Sequence, residues 1–162
     1  MTDRQSCHTE LDSLLHAEYV CTGKLNTLLG AESEALIARD VDTLEQLVKD
    51  KHELLQTFGQ LEERMQRLLQ SAGFGTARTD VEACISWCDT NGRLKKGWRL
   101  LLERIQLAQQ KNRVNGATLE ATRSHAQQAL ALLRGQSPES PLYNPTGNTG
   151  VNHLAGRSLA KA

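Results

Sequence analysis

Positions 44, 47, 51, 54, 58, 61, 65 and 68 hold Leu, Leu, Lys, Leu, Phe, Leu, Met and Leu, in unbroken steps of three and four. That period puts all of them on one face of an α-helix, and only Lys51 departs from an apolar stripe of the coiled-coil type. A helix over residues 42–71 is about 45 Å long at roughly 1.5 Å per residue. Such a rod is too thin to build a core of its own. The stripe therefore requires helical neighbours, and everything else in the chain is read against that need.

The rest of the sequence supplies them. Leucines at 11, 14, 15, 25, 28, 29 and 36 mark a first helix from Thr9 to about Ala38, weakened by Gly23 and Gly30. Asp40 or Asp42 starts the next helix, and Asp42 with Glu45 has capping-box spacing, so a tight turn makes a helical hairpin. SAGFGTARTD ends the second helix, and Thr79 with Glu82 offers another capping box in front of VEACISWC. The Asn-Gly in DTNGR predicts a break, giving a short third helix and a long fourth, or one kinked helix. From Leu94 a new register runs through 98, 101, 105, 108, 112, 115, 119, 122, 126, 129 and 133, bulky at first and smaller or polar later. Aromatic content is 4%, and all three prolines (Pro138, Pro141, Pro145) lie near the end.

The reading is all-α: a long antiparallel helical hairpin or bundle with coiled-coil-like packing. It spans residues 1–135, with helices at about 9–38, 42–71, 80–90 and 93–134, followed by a Pro/Gly-rich tail over 136–162 that is expected to be disordered. Residues 1–76 carry 13 acids and 7 bases, and residues 77–162 carry 6 acids and 12 bases. Opposite signs suit a chain that folds back on itself. The tail keeps spaced apolar residues, among them Leu142, Tyr143 and Val151, which have the look of docking anchors.

Several chemistries find no support. The histidines (8, 16, 52, 125, 153) are scattered, with no HExxH, and no glycine-rich phosphate loop follows a strand, so no enzyme and no catalytic residue are expected. Cys84 and Cys88 lie one helical turn apart, but no further ligand pair accompanies them and no CxxC occurs. The four cysteines read as reduced thiols packed as small hydrophobes, with no metal and no cofactor. The apolar runs are far shorter than the roughly 20 residues a bilayer requires, so membrane insertion is not expected. RLKKGWR (93–99) sets bases beside Trp98, but Trp98 falls on the apolar seam and the bases on other faces. A nucleic-acid partner is therefore not expected, although a nucleic-acid-binding helical protein stays as a lesser alternative.

In the fourth helix Asn112 and Asn115 occupy seam positions and Gly116 follows at once. A seam amide fixes register where it finds a partner, and a glycine admits a close backbone. Asn112, Asn115 and Gly116 form an N-x-x-N-G pattern that resembles the hallmark of the FlgN-like family. DVDTLEQLVKDKHELLQTFGQLE (40–62), with its seam lysine, and the closing PLYNPTGNT and GRSLAKA are similar to the family's second helix and tail. The chain departs at Ala117-Thr118, where members more often carry bulkier apolar residues.

The resemblance implies a cytoplasmic chaperone of type III export. It would bind the disordered ends of flagellar hook-filament junction (hook-associated) proteins, prevent premature assembly and deliver them to the export gate and ATPase machinery. It also implies contacts in the C-terminal third, at Leu119, Leu130, Leu133, Leu142 and Tyr143, with core packing as the competing role for the helical leucines. The alternative is a generic coiled-coil scaffold that forms a homodimer through the same stripe.

Overall fold

The computed structural model describes residues 3–135. They form four helices, α1 (Arg4–Ala38), α2 (Val41–Ser71), α3 (Arg78–Cys88) and α4 (Arg93–Leu133), with no strand among the described residues. The all-α expectation is what the chain adopts. The tail expected to be disordered, 136–162, lies outside the described residues. The chain divides into two compact units, residues 1–121 and 122–162.

Local chemistry sets the helix ends. α1 begins at Arg4 rather than Thr9 because the Asp3 carboxylate accepts from the Gln5 and Ser6 N–H groups, each at 3.0 Å. Such a cap contributes about 1 kcal/mol. Thr9 lies inside the helix, its hydroxyl donating to the Gln5 carbonyl at 3.1 Å. α1 stops at Arg39, which takes the left-handed conformation (φ 56°). Asp40 then opens α2, accepting from the Thr43 N–H at 3.1 Å. Asp42, expected to pair with Glu45, sits in the first turn instead.

α2 closes on Gly73 (φ 84°), where the Phe74 N–H reaches back to the Leu69 carbonyl at 2.9 Å and the Gly73 N–H to that of Gln70 at 3.0 Å. α3 starts at Arg78, and the expected Thr79–Glu82 box is not used. Asp80 takes that role, its carboxylate accepting from the Ala77 N–H at 2.9 Å. Glu82 instead pairs with Arg78 at 3.2 Å and accepts from the Trp98 indole at 3.4 Å. DTNGR breaks the chain cleanly between α3 and α4, with Gly92 at φ 76°. Asp89 accepts from the Lys95 N–H at 3.0 Å.

In the first unit α2 runs antiparallel to α1, since Glu32 meets Lys51 while Cys21 meets Leu54. α4 runs parallel to α1, with Asp12 against Arg93, Tyr19 against Arg104 and Leu29 against Asn115. The apolar core fills one end only. It gathers Leu11, Leu14 and Leu15 of α1, Leu61, Met65, Leu68 and Leu69 of α2, Val81 and Ile85 of α3, and Leu94 and Leu101 of α4. Toward the α1–α2 turn the same α2 stripe is only half-buried, at Leu44, Leu47, Leu54 and Phe58. A stripe uniform in sequence thus closes where α3 joins the packing and stays open where it does not. The second unit is described only through Gly135, as the last turns of α4, where Leu130, Leu132 and Leu133 are exposed.

A polar node and an apolar groove at the open end of the bundle

Asn115 is buried, at 4% exposure. Its amide donates to the Leu29 carbonyl and to Glu32 Oε2, each at 2.8 Å. Glu32 Oε1 accepts from Lys51 Nζ at 2.5 Å. The one charged residue of the α2 stripe and the amide of the α4 seam therefore meet on one carboxylate of α1. This node joins three helices at a fixed height. A buried carboxylate with one partner removed is costly, whereas here both its oxygens are satisfied.

The contact between α1 and α4 continues in the same polar style. Arg104 donates to the Tyr19 carbonyl at 3.1 Å and lays its guanidinium 3.7 Å from the Tyr19 ring centroid. Lys111 donates to the Asn26 carbonyl at 3.0 Å, and the Asn26 amide to that of Arg104 at 3.1 Å. Gly23 has its reason here: a Cβ on it would lie 2.6 Å from Arg104 Nη1.

Beside the node lies an apolar groove of about 630 Å³. Leu36 of α1, Val41, Leu44 and Val48 of α2, and Asn112, Gly116 and Leu119 of α4 line it, with the node residues at its edge. Val41 is 63% exposed, Val48 55% and Leu119 57%. The two asparagines do not share one role: Asn115 is locked into the node, whereas Asn112 is exposed on the groove. No neighbouring atom lies within 4 Å of a Cβ built on Gly116. The close backbone approach expected there is not made by any of the described residues.

The structure thus brings Asn112, Asn115, Gly116 and Leu119 to one place. Leu130 and Leu133 lie in the second unit, 51% and 84% exposed, so neither is a core residue as described. Leu142 and Tyr143 fall outside the described residues. Trp98 is half-buried against the core, and its indole N–H donates to Glu82.

Two clusters were not legible from local spacing. Cys7, 77 residues before Cys84, joins Cys84 and Cys88. Burial pushes the Cys7 thiol up to about 12 and that of Cys88 up to about 11. Glu18 faces the charge of Glu62, and burial first, then that like charge, pushes its carboxyl up to about 7.

The first unit is thus a helical hairpin sealed by α3 at one end, with a polar node and an apolar groove at the other. No helix among the described residues is long and apolar enough to cross a membrane. The chain belongs to the FlgN family, whose model, described as FlgN protein, matches residues 7–150. It is similar to the flagella synthesis protein FlgN of Salmonella typhimurium (strain LT2) and to that of Salmonella typhi. Each is 27% identical over 154 residues, covering 94% of this chain and 99% of the relative. No solved structure matches it.

Proposed function

We propose that this chain serves flagellum assembly as a cytoplasmic export chaperone. It holds an amphipathic segment of a hook-filament junction protein in the groove at its open end, and hands it on to the type III export machinery. One observation carries the reading: Val41, Leu44 and Val48 of α2 face Asn112, Gly116 and Leu119 of α4 across the groove, and Val41, Val48 and Leu119 stay more than half exposed. Fully burying a leucine-sized side chain yields roughly 1.5–3 kcal/mol. Covering the exposed parts of four or five such residues therefore yields on the order of 4–6 kcal/mol before the ordering cost of the partner. That range suits a partner that binds as an added helix and must later be released.

Family membership and the names of the relatives support the flagellar setting. Leu130, Leu133, Leu142 and Tyr143 are proposed as a second contact, with cargo or with the export gate. Replacing Leu142 and Tyr143 together by alanine is expected to weaken one of those interactions without loss of helix content.

The test is calorimetric titration with junction proteins, intact and with their disordered ends removed. Saturable binding at micromolar affinity or better is expected for the intact proteins. It should be lost on truncation and weakened at least tenfold by Val48→Asp or Leu119→Asp. Unchanged binding by both variants would remove the groove from the reading. No binding to any junction protein, with a mass that doubles with concentration, would leave the homodimeric scaffold.

A further inference from the structure

Cys7 at the start of α1 and Cys84 and Cys88, one turn apart on α3, place three sulfur atoms within 4.8 Å of one another. Cys7 Sγ and Cys84 Sγ are 3.6 Å apart. All three residues are buried, at 0%, 0% and 1% exposure. We propose that this triad is a binding site for a single soft monovalent metal ion of the cuprous type, held by three sulfurs and fastening α3 to α1.

Ligand number and type decide the class of ion. No histidine or carboxylate joins the cluster among the described residues, so the donor set is three sulfurs. Magnesium and calcium require six or more oxygen ligands and do not fit. Structural zinc closes its sphere with a fourth protein ligand, and catalytic zinc keeps a solvent-open position. This site has neither, because its residues are sealed from solvent. Cuprous ion is favoured by soft thiolates. A metal about 2.3 Å from each of three sulfurs spaces them by roughly 4 Å. The Cys7–Cys84 separation of 3.6 Å is just below that value and no separation exceeds 4.8 Å, so small side-chain rotations suffice.

In the metal-free chain the apolar surroundings keep the thiols protonated. Thiolates rather than thiols are the ligands, so seating the ion on all three sulfurs sends up to three thiol protons to bulk water. Affinity therefore rises with pH, about tenfold per unit for each displaced proton. Access runs through α3. Gly73 before it and Gly92 after it both have positive φ, so each end of the short helix turns on a residue with wide conformational freedom. Cys21, whose Sγ lies against the Leu54 carbonyl at 4.0 Å, is outside the triad and serves as a control.

The test uses the reduced full chain under anaerobic conditions. It is competed for Cu(I) against a colorimetric chelator, and the loaded protein is then measured by X-ray absorption at the copper edge. One copper per chain in a shell of three sulfurs is expected. Cys21→Ser should leave the stoichiometry unchanged, and Cys84→Ala should lower affinity by on the order of a hundredfold. Failure of the wild-type chain to retain copper would overturn the proposal. So would a shell of two sulfurs, or equal retention by Cys84→Ala. Absorption on the wild-type chain decides the shell even if the variant does not fold.

Discussion

At the residue scale Glu18 and Asn115 show opposite uses of a polar group inside a helical bundle. The Glu18 carboxyl is pushed up to about 7, first by burial and then by Glu62. Below about pH 4.5 it is protonated in both the folded and unfolded chain. Between there and about 7 the folded chain keeps a proton that the unfolded chain has released, so stability falls as pH rises through that window. Glu18→Gln is therefore expected to stabilise the protein at pH 8 by on the order of 1–2 kcal/mol, with the gain vanishing by about pH 4. Thermal unfolding at both pH values checks this, and an equal gain at each would refute the assignment. Asn115, by contrast, has both amide hydrogens placed, on Leu29 and Glu32. Asn115→Ala should cost about 1–3 kcal/mol by denaturant titration, whereas Asn112→Ala, on the groove surface, should cost under about 0.5 kcal/mol.

At the scale of elements, α3 is what gives the bundle its two unlike ends. Its Val81, Ile85 and cysteines complete the core around the C-terminal half of α2, whereas Leu44 and Leu47 near the α1–α2 turn stay half-buried and outside it. The α2 helix was legible because a three-four stripe is a local signal that no other element needs to complete. The difference between its halves was not, since it depends on where an 11-residue helix docks. The helix starts were legible in part. Asp40 acted as read, but Asp3 escaped because no apolar period precedes Cys7. Thr79 and Glu82 misled, because Ala77 and Asp80 offer the same three-residue spacing two residues earlier, and Glu82 is drawn to Arg78 and Trp98.

The asparagine pair was visible as an anomaly, while its division into one buried and one exposed amide required the partner helices. Gly116 remains without an internal reason, since an added Cβ meets nothing. Gly116→Ala should raise stability by about 0.5–1 kcal/mol through helix propensity. If the groove admits a partner backbone there, the same change should weaken cargo binding severalfold. A gain in stability with unchanged affinity would show that the glycine does not face the partner.

At the scale of the first unit, an apolar core fills the end where α3 packs and an apolar groove lies near the α1–α2 turn. The acidic first half and the basic second half meet as an ion pair at Asp12–Arg93, whereas Arg104 and Lys111 of α4 donate to backbone carbonyls of α1. Polar contacts of this kind fix register without sealing the seam, which leaves the stripe of α2 available. If the proposed function holds, cargo sits at that open end.

Hydrogen–deuterium exchange with and without a junction protein tests it most directly. The account predicts added protection over residues 41–55 of α2 and 112–119 of α4, with exchange in α3 (Arg78–Cys88) unchanged. Protection confined to the α3 end, or binding with no change at the groove, would contradict it.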